Sequence, residues 1–398
     1  MPIPTPFHPR TAERCVTYRW KDWAGYYAVC TYDISPEREY NAIRQGAGVL
    51  DASPLYKYDV RGPDAGPFLS RVMVRDVARM KVGRVLYLCW CDDHGKVLDD
   101  GTCSRLGKHH YRVTAAAPSY HWFARHAASF DVEIEDTSTR YAALALQGPT
   151  SRDILRQFTD LGDGDIDGVR FFDIREVEFE NVPGYLSRTG YTGDLGYELW
   201  VESERALELW DALARHGKPR GLEPIGLDTL DICRIEAGFI MQGVDYFSAH
   251  DALIESQKSS PYELGLGWTV KLGRRSFIGA AALAAEKERG SEWAMVGLDI
   301  DWEATEALYG EYGLPPALPA AAWRSPVPVY RKGKQVGRAT SGAWSPTLKK
   351  NLALATVYAG FAQPGTVLDI EMTVEWERRS VPATVVETPF FNPPRKRS

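Results

Sequence analysis

The run SRTGYTGDLGYEL, Ser187 to Leu199, surrounds one tyrosine with glycines and small hydroxyl residues and then passes into Tyr197, Glu198 and Leu199. Glycine has no Cβ, so the backbone here can turn sharply and come close to a bound molecule. Read for chemistry, the run is a Gly-rich turn that aims Tyr191 and Glu198 into a pocket, Glu198 from a strand. Read without chemistry, it is an ordinary hairpin. The segments on either side decide between the two.

Upstream, PEREYNAIRQGAG from Pro36 to Gly48 carries Ser35 as a capping candidate, a proline at the first helical position and glycine near its end, which frames a helix. Between Arg84 and Leu98 two apolar runs flank DDHGK, which predicts a hairpin with Asp99 and Asp100 at its far end. Cys89 and Cys91 share one face of its first strand as buried thiols. Downstream, Glu204 to His216 has the 3.6-residue period of an amphipathic helix stopped by Gly217. A further helix is predicted after Gly226, capped by Asp228, with Leu230, Cys233 and Ile235 inward and Gly238 at its end. Past Trp293 short alternating runs joined by turns predict a small all-β module, and the Ala- and Pro-rich stretch from Asp301 to Pro326 reads as a connecting loop.

A chain of 398 residues exceeds what one core usually fills, so several packed units are expected. The division expected is 1–290 and 291–398. With 44% hydrophobic and 25% charged residues it has the composition of a globular protein, and a net charge of −6 with scattered basic residues argues against nucleic acid as a partner. The sequence has no apolar run of membrane-spanning length and no apolar signal core at its N-terminus, so no membrane association and a cytoplasmic location are expected. The six cysteines lack zinc-ribbon spacing. Asp163, Asp165 and Asp167 imitate the start of a calcium loop, but Ile174 stands where a bidentate Glu is required, so no metal site is expected. Dinucleotide and nucleotide-phosphate fingerprints are missing, which leaves an enzyme with some other carrier.

WKDWAGYY, REYNAIRQGAGVLDASPLYKYDVRGPDA, GKVLDD, ALQGP, SRTGYTGDLGYEL, CRIEAG, SPYELGLGWTVKL and GRATSGAWSPTLKKNLALATV follow one another along nearly the whole chain. In this order they resemble the glycine-cleavage T-protein (aminomethyltransferase) family and its tetrahydrofolate-dependent demethylase relatives. The resemblance implies an α+β, three-domain cloverleaf: two interleaved folate-binding domains plus a C-terminal β-barrel. It implies tetrahydrofolate as the carrier, Asp99 as the acid beside the reactive nitrogens, Tyr191 and Glu198 as pterin contacts, and Trp268 and Arg395 as the folate wall and tail contact.

The chain departs from the family at three places. Ser53, Pro54 and Leu55 stand for its Ser-His-Met, Leu230 for an Arg, and Ala115 for an Asn. Leu230 cannot give the charge-assisted bond of an arginine. Trp23, Tyr26 and Tyr27, with Tyr56 close behind, make an aromatic-rich N-terminal region, and the resemblance implies that this region lies near the mouth of the family's central channel, where these rings line the donor pocket. These changes favour methyl transfer from a small O-, N- or S-methylated compound to the 5-nitrogen of tetrahydrofolate. The alternatives are the glycine-cleavage aminomethyltransferase and a non-enzymatic folate-binding accessory protein.

Overall fold

Two antiparallel-rich sheets, one closed barrel and a two-stranded N-terminal hairpin, Trp20–Trp23 with Tyr26–Val29, carry the strands, and the chain interleaves the two larger sheets. The computed structural model describes residues 1–273 and 276–398. A seven-stranded sheet runs in the order Thr159–Asp160, Ile174–Phe179, Val182–Ser187, Gly196–Glu202, Tyr141–Gln147, Ala47–Asp51 and Leu222–Pro224. The chain leaves it after Asp51 to build a five-stranded sheet, ordered Val85–Cys91, Val97–Gly107, His110–Ala115, Tyr56–Arg61 and Glu133–Asp136. It re-enters the first sheet at Tyr141. The closed barrel takes its strands from Trp293–Ile300, Val327–Arg331, Lys334–Ser345, Lys350–Tyr358, Val367–Val374 and Glu377–Val386. This is the α+β, interleaved-plus-barrel architecture expected. We propose the division near residue 290, between the helix Ala280–Arg289 and the barrel's first strand.

Each sheet hides one face. Leu144, Leu146, Leu199 and Val201 pack with Leu209, Trp210 and Leu213 of the helix Ala206–Gly217. In the five-stranded sheet Tyr58, Val60, Leu88, Trp90 and Val113 pack on the helices Ala65–Val72 and Tyr120–His126, through Phe68, Leu69 and Phe123. Because side chains alternate along a strand, the opposite faces are left for each other. Register puts Lys57, Asp59, Arg112 and Thr114 on the open face of the five-stranded sheet, together with Thr102 and Asp100. Ala143, Ala145, Glu198, Trp200 and Tyr185 share the open face of the other. The two faces meet where the Arg112 guanidinium lies 3.6 Å over the Tyr141 ring and the Lys57 ammonium 6.0 Å from the Trp200 ring.

The helix Leu227–Glu236 runs through the middle with all its residues but Asp228 buried. Its N-cap is Gly226, not Asp228, whose carboxylate pairs with Arg19 instead at 3.0 Å. Glu236 accepts from Tyr40 at 2.5 Å and from Arg44, and from Ser345 of the barrel, so one carboxylate joins three parts of the fold. The helix Glu37–Gln45 takes Pro36 as its N-cap rather than its first residue. The loop expected from Asp301 to Pro326 contains a helix, Trp302–Glu311. Asp301 caps it by accepting from the Ala304 amide at 2.8 Å, a signal outweighed in the sequence by the alanines and prolines that follow. Of the calcium-loop mimic, Asp165 caps Gly168 and Asp167 pairs with Arg156, which makes it a turn.

Candidate active site

Asp100 lies on the open face of the five-stranded sheet. Its strand, Val97–Gly107, pairs with Val85–Cys91 so that Cys89 stands opposite Asp100 and Tyr87 opposite Thr102. The Tyr87 hydroxyl donates to Asp100 Oδ2 at 2.7 Å, and the Tyr246 hydroxyl donates to Oδ1. Burial pushes the Asp100 carboxyl above its ordinary range, while the two hydroxyls hold it down. Both tyrosines are themselves pushed up, first by burial and then by the Asp100 charge.

Asp99 faces the other way. It is 1% exposed, opposite Trp90, and its Oδ2 accepts from the amides of Ala116 and Ala117 at 3.0 and 2.9 Å. Its Oδ1 accepts from the Asp100 amide at 2.8 Å. Both oxygens thus hold backbone on the helix-covered side. Nor do the two acids sit at the hairpin's far end as expected: the turn closes by residue 96, and they lie three and four residues into the return stretch, inside the strand.

The Gly-rich run is a hairpin with a working loop. Ser187 ends one strand and pairs with Glu198 of the next. Gly190 and Gly196 leave room for Gln147, since a Cβ on either would stand 2.0 or 2.2 Å from its side-chain oxygen. The Tyr191 hydroxyl donates to the Ile240 carbonyl, and its ring packs 5.5 Å from Phe239. Burial and then the charges around it, Asp100 among them, bear on its hydroxyl, which is pushed well up. The segment Ile240–Tyr246 therefore carries contacts to both Tyr191 and Asp100. Glu198 accepts from Thr189 at 2.8 Å and Ser187 at 3.4 Å, both on Oε2. Among the described residues none donates to Oε1, and burial pushes the carboxyl up.

Behind Tyr191 lies a buried chain of charges. Arg234 donates to Asp231 at 2.6 Å and to Asp245, and Asp245 also accepts from Thr340 and Ser341 of the barrel at 2.5 and 2.7 Å. One terminal nitrogen of Arg234, Nη2, is buried with no partner among the described residues. Sequence reasoning missed Tyr87, Tyr246 and Arg234. Register with Asp100 marks Tyr87, but Tyr246 lies far along the chain in an irregular segment.

The remaining sequence-derived residues divide. Trp268 is 57% exposed and stacks on Tyr87, centroids 6.2 Å apart, which puts it at the rim beside Asp100. Arg395, expected as the folate tail contact, is bound to Asp194 by two contacts of 2.6 and 2.8 Å and docks the C-terminal segment. Trp23 packs against the central cluster that holds Trp200, Leu230 and Tyr191. Tyr26 and Tyr56 lie near each other beside Asp136, and register puts Tyr56 on the face of Tyr58, away from Asp100. Tyr27, next along the hairpin, turns to the opposite side against Trp20 and His8. The four aromatics do not form one wall, because strand alternation splits them.

This geometry can be set beside known proteins. Residues 10–274 match the GCVT N-terminal domain and residues 313–392 the glycine cleavage T-protein C-terminal barrel domain. The chain belongs to the glycine-cleavage T-protein (aminomethyltransferase) family. It is therefore an enzyme, a transferase of one-carbon groups. An aminomethyltransferase of Geobacillus thermodenitrificans is 35% identical over 90% of each chain. A trimethylamine-oxide aldolase of Ruegeria pomeroyi is 32% identical over 99% of this chain, which spans 47% of that protein. The fold matches aminomethyltransferase T of the Bartonella henselae glycine cleavage system, TM-score 0.82 over 98% of this chain and 99% of that one at 22% identity. Among the described residues, no helix is long and apolar enough to cross a membrane, and no three His, Cys, Asp or Glu side chains group as metal ligands.

Proposed function

We propose that this T-protein family member moves a methyl group from a small O-, N- or S-methylated compound to the 5-nitrogen of tetrahydrofolate. The observation that carries the reading is Asp100, a carboxylate held by two tyrosine hydroxyls on the open face of its sheet, beside Tyr191 and under the rim ring of Trp268. The residues suit a pterin. Glu198 keeps an oxygen without a donor, which fits ring and amino N–H groups. Arg234 brings an orphaned donor close to Tyr191, and Tyr87 with Trp268 offers stacked rings.

When bound, tetrahydrofolate supplies the nitrogen that accepts the one-carbon unit. We assign the role expected of Asp99 to Asp100. It orients the amine and balances the positive charge that develops as the nitrogen forms its new bond. Tyr87 and Tyr246 fix the carboxylate's two oxygens, so little reorganisation accompanies the step. Trp23 contributes an aromatic wall that holds the donor in line with the amine. We read the protein as cytoplasmic, with a small methylated molecule and folate as its partners.

The Ruegeria relative, named for a methylated amine oxide, supports a small methylated donor. The relatives named aminomethyltransferase favour the second reading, transfer of an aminomethyl group with formation of methylene-tetrahydrofolate. Pro54 in place of a family His and Leu230 in place of an Arg support the first: an apolar wall loses less solvation around a methyl compound than around an amine. The test offers tetrahydrofolate with a panel of methylated donors, and in parallel with aminomethylated carrier protein. Formation of 5-methyl-tetrahydrofolate and the demethylated product is expected. Ammonia and methylene-tetrahydrofolate from the carrier alone, with no methyl donor accepted, overturns it.

A further inference from the structure

A cavity of about 340 Å³ lies on the far side of the seven-stranded sheet from Asp100. Its place follows from alternation in the strand Ala47–Asp51: Leu50 belongs to the central cluster around Trp200, whereas Val49 turns to the other face and lines this cavity. The helix Ala206–Gly217 supplies Trp210, Leu213 and Ala214, and the strand Leu222–Pro224 closes the opposite wall. The size lies in the range of small-molecule sites. Nothing in the proposed methyl transfer uses it.

Three cations stand at its edge, Arg14, Arg38 and Lys218, against one acid, Glu223. Arg38 is engaged by Glu223 at 2.7 Å. Arg14 and Lys218 have no ion pair among the described residues, and both are exposed. Trp210 is 4% exposed and forms part of the apolar wall. Apolar walls and two cations without an ion pair at one mouth together define the chemistry of an occupant.

We propose that this cavity binds a small molecule with a compact apolar body and a single anionic head group. The body packs on Trp210, Leu213 and Leu222, and the head group meets Arg14 and Lys218. Arginine's planar fork suits a carboxylate or a sulfonate alike.

The probe is 8-anilinonaphthalene-1-sulfonate, titrated by fluorescence and displaced with benzoate, benzyl alcohol or inorganic phosphate. Saturable binding is expected, with benzoate competing at least tenfold better than either the uncharged body or the bare anion. The double variant Arg14→Gln/Lys218→Gln should weaken the probe at least tenfold. Ala214→Trp, which fills the cavity, should abolish binding while a cooperative thermal transition persists. Asp100→Asn should leave the affinity unchanged, which separates this site from the catalytic one. Unaltered affinity in the double charge variant overturns the proposal, as does loss of binding in Asp100→Asn or no saturable binding at all. The double variant changes only exposed side chains, so it decides the matter even if Ala214→Trp fails to fold.

Discussion

Asp99 and Asp100 are consecutive in the chain and on opposite faces of one strand, Asp99 accepting backbone amides beneath the helices and Asp100 accepting tyrosine hydroxyls on the open side. The pair therefore separates structure from chemistry within two residues. In Asp99→Asn the amide NH2 faces an N–H donor whichever way it turns, because both oxygens are acceptors. The expected cost is about 1–3 kcal/mol of stability, read from urea unfolding. Asp100→Asn should keep that stability and lower kcat by about 100-fold, the scale of a lost electrostatic stabiliser. Equal losses of turnover in the two variants would undo the assignment.

The pH profile follows from the same carboxylate. Asp100 works as an anion and its pKa is raised by burial, so activity should fall as pH drops through a value above the ordinary carboxylate range. Tyr246→Phe removes a hydroxyl that stabilises the anion. Its acid limb should move to higher pH, with the alkaline side little changed. A limb that stays put, measured on kcat/KM with tetrahydrofolate saturating, would show that Tyr246 does not tune Asp100.

Glu198 offers Oε1 to a ligand N–H while Thr189 and Ser187 hold Oε2. Glu198→Gln should weaken tetrahydrofolate by roughly 1–3 kcal/mol, with donor KM nearly constant. Calorimetry on the folded variant checks this. Unchanged folate affinity would remove Glu198 from the site.

Lys57 gives a stability signature of its own. Its ammonium is buried against the carbonyls of Ser53 and Leu55, each at 2.7 Å, and burial lowers its pKa to about 7. The unfolded chain, with the ordinary value of 10.5, binds more protons between those two pH values, so the Lys57 contribution to stability rises with pH across that window. Lys57→Met should flatten the slope. Urea midpoints of both proteins at neutral and alkaline pH report it, and a constant difference between them would show that Lys57 does not titrate there.

Much of this was readable because local patterns decide local structure. The SRTGYTGDLGYEL run announces its hairpin, and the amphipathic period of Ala206–Gly217 announces its inward face. Choosing between Asp99 and Asp100 was not possible from alternation alone. Alternation says that they diverge, but the side that stays open is set by Phe68 and Phe123 of two helices elsewhere in the chain. The pairing of Arg395 was not legible for a similar reason: its partner Asp194 lies about two hundred residues upstream, and no local signal marks it. In Leu227–Glu236 Asp231, Arg234 and Glu236 are buried beside Leu230 and Ile232, so the helix has no solvent face for periodicity to reveal, and that lack of amphipathicity reflects its central place.

The same alternation yields a last prediction, about the donor. Trp23 and Tyr27 both belong to the N-terminal hairpin, Trp20–Trp23 with Tyr26–Val29, turned at Ala24 and Gly25 with positive φ of 50° and 83°. Trp23 packs on the central cluster with Tyr191 and Trp200, whereas Tyr27 packs against Trp20 and His8 and is 36% exposed. If aromatic walls hold the methylated donor, Trp23→Ala should raise donor KM by about 10-fold, the scale of an aromatic contact of roughly 1.4 kcal/mol. Its tetrahydrofolate affinity should hold. Tyr27→Ala should leave both within about 2-fold, since the ring contacts it loses, to His8 and Trp20, are on the hairpin's outer side. A donor KM that responds to Tyr27 and not to Trp23 would move the donor pocket to the other face of the hairpin.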